Sequence, residues 1–444
     1  MQITKKLKTL FKELTTLEVL FWTMIAARLA APVIDNPKTH LFSDPGRHWI
    51  NGERILDPEM MSSIDPKLYQ LVIYIIRQLS FGYDTPVGIM CGMMSAGMAY
   101  FWYRACREIY KKESALFLGF LIGICPSLFF IFEYFMNENI LLFMLSLSVW
   151  LTLRAIRKKT VNSFITAACV LVLSLYTRMI MMPIVIASLW LMTYYIKPRI
   201  KNFIAPLILF ITCTILAGLH SYNGLHIFAP FGFKEMNQFY ALSNARTFEI
   251  ETEYGHLGFS SPIFYYDIGD PIFNYSSYRD KRTATAHVLQ RGGTSEWKRE
   301  IDKVRVQYTT RSMLGHLKDN FVFLCFGNSW PDSAQSGNKL YHLQFAFHSR
   351  WMWFPMIMIL VLTAPFSRGS RPEMFIICCA GGLLFIMLTQ QIAVMEGRYR
   401  KPLEPLLIIS MYAIIRNKTL STTNVMPQLV SLWGFIWQIY LKPI

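Results

Sequence analysis

Ten apolar runs divide this chain, at 14–34, 86–103, 115–132, 139–153, 163–177, 179–196, 203–219, 351–366, 373–392 and 403–415. A helix needs about 20 apolar residues to cross the roughly 30 Å hydrocarbon core of a bilayer. Lipid offers the backbone no hydrogen-bond partners, so runs of this length must be helices that satisfy their own amides. A shorter run, 427–441, carries Trp433 and Trp437 and either spans thinly or lies in the interface. The prediction is an all-α integral membrane protein, a bundle of about ten to eleven transmembrane helices. Composition agrees: 53% of residues are hydrophobic and 16% charged, against about a quarter charged in soluble domains.

The gaps between runs fix the predicted sidedness. Arg104, Arg107, Lys111 and Lys112 fill one gap, and Arg154, Arg157, Lys158 and Lys159 another. Lys197, Arg199 and Lys201 follow, then Arg368 with Arg371 and Arg416 with Lys418. If the runs span as given, all five gaps share a side with the basic N-terminus, which places that side in the cytoplasm. The net charge of +16 is therefore spread over short connections that orient helices, and nucleic acid is excluded as a partner. The first run follows Lys5, Lys6, Lys8 and Lys12 and ends Ala30-Ala31-Pro32, like a signal peptide; its length and Arg28 suit an uncleaved anchor better. Arg28 inside that span is expected to snorkel toward the outer surface.

The opposite side receives the loop 35–85, a short turn at Glu133 to Asn139, a long stretch 220–348 and the segment 393–402. The predicted organisation is an N-terminal membrane region over 1–219, a large extracytoplasmic loop over 220–348 and a C-terminal membrane region over 349–444. The long loop should carry its own helices, one of them over 296–326.

Three polar clusters stand at outer helix ends. Ser43-Asp44-Pro45-Gly46-Arg47-His48-Trp49 follows the first span; Glu133-Tyr134-Phe135-Met136-Asn137-Glu138-Asn139 precedes the fourth; Glu396-Gly397-Arg398-Tyr399-Arg400-Lys401-Pro402 precedes the tenth. Arg178 lies between spans five and six. A carboxylate can take the proton of an acceptor hydroxyl. A departing phosphate benefits from fixed guanidiniums, which supply paired donors. This set suits transfer from a phosphate-linked donor at headgroup depth. Structural readings stand beside the chemical ones. Asp44-Pro45-Gly46 is an ordinary turn signal. Asn137-Glu138 can cap a helix, and Arg398, Arg400 and Lys401 can be interfacial anchors. The histidines show no metal-ligand spacing, and Asn274-Tyr275-Ser276 is a glycosylation triplet of a kind common by chance.

These clusters give the chain its resemblance. It is similar to GT-C-fold glycosyltransferases of the dolichyl-phosphate-mannose protein mannosyltransferase and aminoarabinose transferase type. The likeness rests on Asp44 after span one, on Asn137-Glu138-Asn139-Ile140-Leu141-Leu142-Phe143, and on Glu396-Gly397-Arg398-Tyr399-Arg400-Lys401-Pro402 beside that family's Gly-Arg-Tyr-Arg-x-Pro segment. Pro45 stands where the family commonly has a second acid, and Glu138 where many relatives have Asp. The resemblance implies a GT-C-like bundle that moves a sugar from a polyprenyl-phosphate lipid to an acceptor glycan, lipid or protein, on a hydroxyl or amine outside the membrane. It implies Asp44 as base and Glu138 as the residue that positions the acceptor, the sugar or a bound divalent cation. Arg398 and Arg400, with Arg178, would hold the lipid phosphate; Tyr399, Glu396, Arg47 and His48 are further candidates. A multi-pass protein of a bacterial inner membrane fits this chemistry. Two alternatives remain at this point. A polysaccharide polymerase or ligase would use Arg and His residues of the long loop, and a lipid-sugar flippase would show internal repeats, broken spans and charged residues at mid-membrane.

Overall fold

The computed structural model describes residues 15–41, 43–55, 65–225, 228–231, 248–252, 255–259, 352–367, 369–389 and 397–417, together with Leu314, Leu317, Asn320, Phe321, Leu324 and Cys325. The chain divides into two compact units. One holds Met1–Glu53, Leu68–Thr177 and Ser188–Leu209; the other holds Arg54–Lys67, Arg178–Ala187 and Phe210–Ile444.

Each of the ten apolar runs is largely helical where it is described. Among the described residues, five helices are long and apolar enough to cross a membrane, and six if one bent pair counts as a single span. The protein is an all-α, multi-pass integral membrane protein; a two-stranded antiparallel hairpin, β1 (Phe248–Thr252) with β2 (Gly255–Phe259), is its one described departure. The segment 427–441, the triplet at Asn274 and most of 296–326 lie outside the described residues. Within 296–326, the described positions are helical, with Asn320, Leu324 and Cys325 buried and Leu314 and Leu317 exposed.

In the first unit, α1 (Thr16–Ile34) begins with a capping box in which Thr15 and Glu18 satisfy each other's amides. The loop expected over 35–85 is largely helical, with α2 (Ser43–Glu53) and α3 (Lys67–Ser80) inside it. Next come α4 (Asp84–Ile109), α5 (Lys112–Ile124), α6 (Pro126–Phe129), α7 (Asn137–Lys158) and α8 (Val161–Leu175). Helix α4 packs against α1, α5 and α7. Between membrane helices the driving force is close van der Waals packing, and small residues permit it. A Cβ on Gly92 of α4 would lie 2.3 Å from the Leu29 carbonyl oxygen of α1, and one on Gly123 of α5 would lie 2.3 Å from Met24. Helix α1 therefore rests on glycine-lined surfaces of two neighbours.

The third apolar run is a broken span. Helix α5 and the arm Pro126–Glu133 meet at 76°. Pro126 explains the break, because it lacks the amide that would continue α5. The arm is α6 followed by a 3-10 turn, Phe130–Glu133.

The chain continues through α9 (Met182–Ile196) and α10 (Ile204–Leu225). In the second unit, α11 (Phe354–Thr363), α12 (Arg371–Thr389) and α13 (Glu404–Arg416) pack on one another. Glu373 in the first turn of α12 accepts from the Ser370 amide at 2.8 Å and pairs with Arg416 at 3.3 Å, which ties the ends of α12 and α13 together.

Candidate functional site

The acid-bearing region belongs to the first unit. Asp44 does not sit in a turn: Ser43-Asp44-Pro45-Gly46 forms the first turn of α2. Proline is tolerated there because its missing amide would have had no helical partner. An acid in that first turn also faces the positive end of the helix dipole. Arg47 lies one turn on, and its Nη1 is 2.8 Å from Asp44 Oδ1, with both side chains partly exposed. Helix α2 is held down by its neighbours. Trp49 stacks on Phe135 at 4.6 Å, Arg77 of α3 lies 4.4 Å over the Trp49 ring, and His48 is buried edge-on to Tyr69 at 5.0 Å. A Cβ on Gly52 would strike Ile73 at 2.3 Å, so glycine lets α2 lie directly against α3.

Phe135 belongs to the same short segment as Glu138. Asn137 and Glu138 open α7, whose N-cap is Met136 with no side-chain cap bond, so the capping role expected of Asn137 is not seen. Glu138 is 2% exposed and lies in the first turn, where the dipole favours a carboxylate. Asn139 donates to the Tyr134 carbonyl at 2.7 Å, and His40 packs 4.7 Å from the Tyr134 ring. The structure thus fastens the segment after span one to the segment before α7 through Trp49–Phe135 and His40–Tyr134. Those aromatic neighbours bring the Asp44 and Glu138 segments together. Among the described residues no three His, Cys, Asp or Glu side chains group as metal ligands, so a bound-cation role for Glu138 draws no support from a ligand set.

Arg28 departs from its expected place. It is fully buried and does not snorkel. Its Nε donates to the Ser95 carbonyl at 3.0 Å, Nη1 to Gly123 at 2.7 Å and Nη2 to Leu128 at 2.5 Å. Gly123 lies in the last turn of α5 and Leu128 in the last turn of α6, where helices leave carbonyls without amide partners. The break at Cys125-Pro126 strands these acceptors inside the bundle, and one guanidinium satisfies both arms. Phe129 and Phe132 place their rings 5.0 and 5.6 Å from its central carbon. A buried cation in a membrane is costly unless so partnered. Sequence reasoning missed this role; Pro126 within a span was the signal that carbonyls nearby would need a donor.

The cationic region belongs to the second unit. Arg178 adopts extended backbone before a 3-10 turn, and its guanidinium lies 4.4 Å over the ring of Tyr399. That contact joins two of the sequence candidates. Gly397–Arg400 is itself a 3-10 turn; of Arg398 only the backbone is described, and Glu396 lies outside the described residues. Arg400 is fully buried. Its Nε donates to Glu404 at 2.9 Å, its Nη1 to the Leu324 carbonyl at 2.7 Å, and Trp353 lies 5.5 Å from its central carbon. Two donor positions of Arg400 are thus spent inside the protein, which weighs against the phosphate-holding role the sequence suggested for it. Lys401 beside it is also fully buried.

Comparison with known proteins agrees with the resemblance read from the sequence. Residues 65–220 match the family model for dolichyl-phosphate-mannose-protein mannosyltransferase. No curated protein matches the chain. The matched stretch is part of the chain and carries Glu138, Arg178 and the broken span; over it the protein is similar to that family of membrane glycosyltransferases, which is of the GT-C type.

Proposed function

We propose that the protein transfers a sugar from a polyprenyl-phosphate donor to an acceptor hydroxyl or amine on the extracytoplasmic face of its membrane, with its N-terminus in the cytoplasm. A bacterial inner membrane is the setting this reading favours. The observation that carries it is the family match over 65–220, a stretch that includes a buried acid at the start of a membrane helix and an arginine seated on a tyrosine. In this reading Asp44 takes the proton of the acceptor. The acceptor atom bonds to the anomeric carbon, the bond from that carbon to the phosphate oxygen breaks, and polyprenyl phosphate leaves with the electron pair. Asp44 suits the task because Arg47 keeps it paired without sealing it from solvent. Glu138, buried in the first turn of α7, positions the sugar or the acceptor. Arg178, oriented by Tyr399, and Arg398 stabilise the charge that develops on the phosphate. Arg47 and His48 shape the surroundings of Asp44.

The test is Asp44→Asn in membranes that contain a labelled polyprenyl-phosphate sugar. Transfer should be lost while protein level and membrane insertion stay at the wild-type level. Full transfer by the variant removes Asp44 from the base role. Donor consumption by the wild-type protein with no modified acceptor would instead favour a flippase.

A further inference from the structure

We propose that Arg104, Arg154 and Trp150 form a site for the phosphate of an anionic phospholipid headgroup. Helices α4 and α7 bring these residues together at the ends that carry the basic gaps. Trp150 is 12 residues beyond Glu138 on α7, about 18 Å along the helix axis, so the site is separate from the acid-bearing region.

Both guanidinium carbons lie 5.2 Å from the centroid of the Trp150 ring. Phe101 stacks on the same indole at 5.1 Å and 12°, which fixes its plane. Arg104 donates from Nη1 to the Tyr100 hydroxyl at 2.8 Å. All three side chains of the site are half-buried. Three other cations at this end are neutralised or bonded: Arg157 pairs with Glu108 at 2.7 Å, Lys112 pairs with Glu18, and Arg107 donates to the Tyr110 carbonyl at 3.3 Å, while Lys111, Lys158 and Lys159 are exposed. Arg104 and Arg154 meet no carboxylate among the described residues, and the Trp150 Nε1 is buried without an acceptor among them. Each guanidinium offers five N–H donors and no acceptor. Two of them around one indole make a donor-rich, acceptor-poor spot.

A lipid phosphate is the ligand that fits. Guanidiniums bind phosphate oxygens through paired N–H groups. Seating them on an aromatic face orients those groups in advance and lowers the entropy lost on binding. Tyr, Trp and Arg at helix ends stand at headgroup depth, where anionic lipids concentrate around basic residues. A plain positive anchor needs no shared indole, and its charge would be interchangeable with that of Arg157.

Native mass spectrometry of the full-length protein in detergent tests this, with phosphatidylglycerol, phosphatidylcholine and inorganic phosphate as probes. The wild-type protein should retain one phosphatidylglycerol in preference to phosphatidylcholine. The double variant Arg104→Gln/Arg154→Gln should bind it about 30-fold more weakly, while Arg157→Gln binds as wild type. Equal loss in Arg157→Gln would show general charge attraction and overturn the site. Equal retention of phosphatidylcholine would overturn the anion preference. Displacement of the lipid by inorganic phosphate at matched concentration would assign the pocket to a soluble anion and overturn the lipid. Should the double variant fail to fold, Arg154→Gln alone suffices, since its described contact is with a ring; wild-type affinity in that variant overturns the proposal.

Discussion

Two ion pairs of similar length meet opposite surroundings. Arg47 and Asp44 lie 2.8 Å apart with side-chain exposures of 32% and 20%, whereas Arg400 and Glu404 lie 2.9 Å apart at 1% and 0%. Both pairs are one helical turn in length, and both fall in segments that the sequence singles out. The wet pair is weakly bound, because solvent screens it and the side chains can exchange partners. The dry pair is locked, because either ion alone would stand uncompensated in a low-dielectric interior. A group that must take a proton or meet a lipid phosphate has to be able to change partners. The contrast therefore supports the role proposed for Asp44 and favours an architectural one for Arg400, although the sequence motif around Arg400 is the more distinctive of the two.

Neutralising one acid in each pair should separate these roles. Asp44→Asn should lower transfer by about 10²–10⁴-fold, the usual contribution of a general base. Its melting temperature should move little, since a partly exposed pair that water can reach contributes about 0–1 kcal/mol. Glu404→Gln should do the reverse. It leaves Arg400 charged and buried, at a cost of about 3–5 kcal/mol, seen as a lower melting temperature and less folded protein. Replacing both partners, Arg400→Met with Glu404→Leu, should recover most of that loss. If Glu404→Gln melts as wild type, Arg400 is not locked and returns as a phosphate ligand.

How much of this was legible in the sequence depends on distance along the chain. The helices were, because apolar length and flanking charge are local properties, and each of the ten runs is largely helical where described. The three polar clusters were also legible as places of interest. Their conformations were not. Asp44-Pro45-Gly46 is as good a helix start as a turn, and the packing of Trp49 on Phe135 and Gly52 on Ile73 decides for helix. Arg28 reaches carbonyls 67, 95 and 100 positions away, so no local pattern could give its destination. The burial of Arg400 likewise depends on Trp353 and Leu324, both far off in sequence.

Arg28 extends the comparison to a dry cation whose direct hydrogen-bond acceptors are backbone carbonyls, with the buried Glu133 near enough to add electrostatic support. Arg28→Lys keeps the charge, but an ammonium is a compact donor and cannot span the same three acceptors. At least one buried carbonyl loses its partner, at a cost of about 1–3 kcal/mol. A fall in melting temperature smaller than that of Glu404→Gln is expected. An unchanged melting temperature would mean that the bend at Cys125-Pro126 holds without the guanidinium clamp.

Lys67 supplies the intermediate case and the smallest effect. It opens α3, is partly buried, and lies near the buried Asp65. Burial pushes its ammonium down from 10.5 to about 8, and Asp65 opposes the shift. Below about pH 8 the ammonium is charged in folded and unfolded protein alike, and the full burial penalty applies. Between about 8 and 10.5 the folded protein sheds the proton while the unfolded chain keeps it, so this residue's contribution to stability rises with pH. Lys67→Arg cannot shed its proton in that window. Melting temperatures of the two proteins, followed from pH 7 to 10.5, should therefore diverge in favour of the wild type as pH rises. Parallel curves would mean that Lys67 keeps its proton to its ordinary range, and that it belongs with the wet pair at Asp44 rather than between the two.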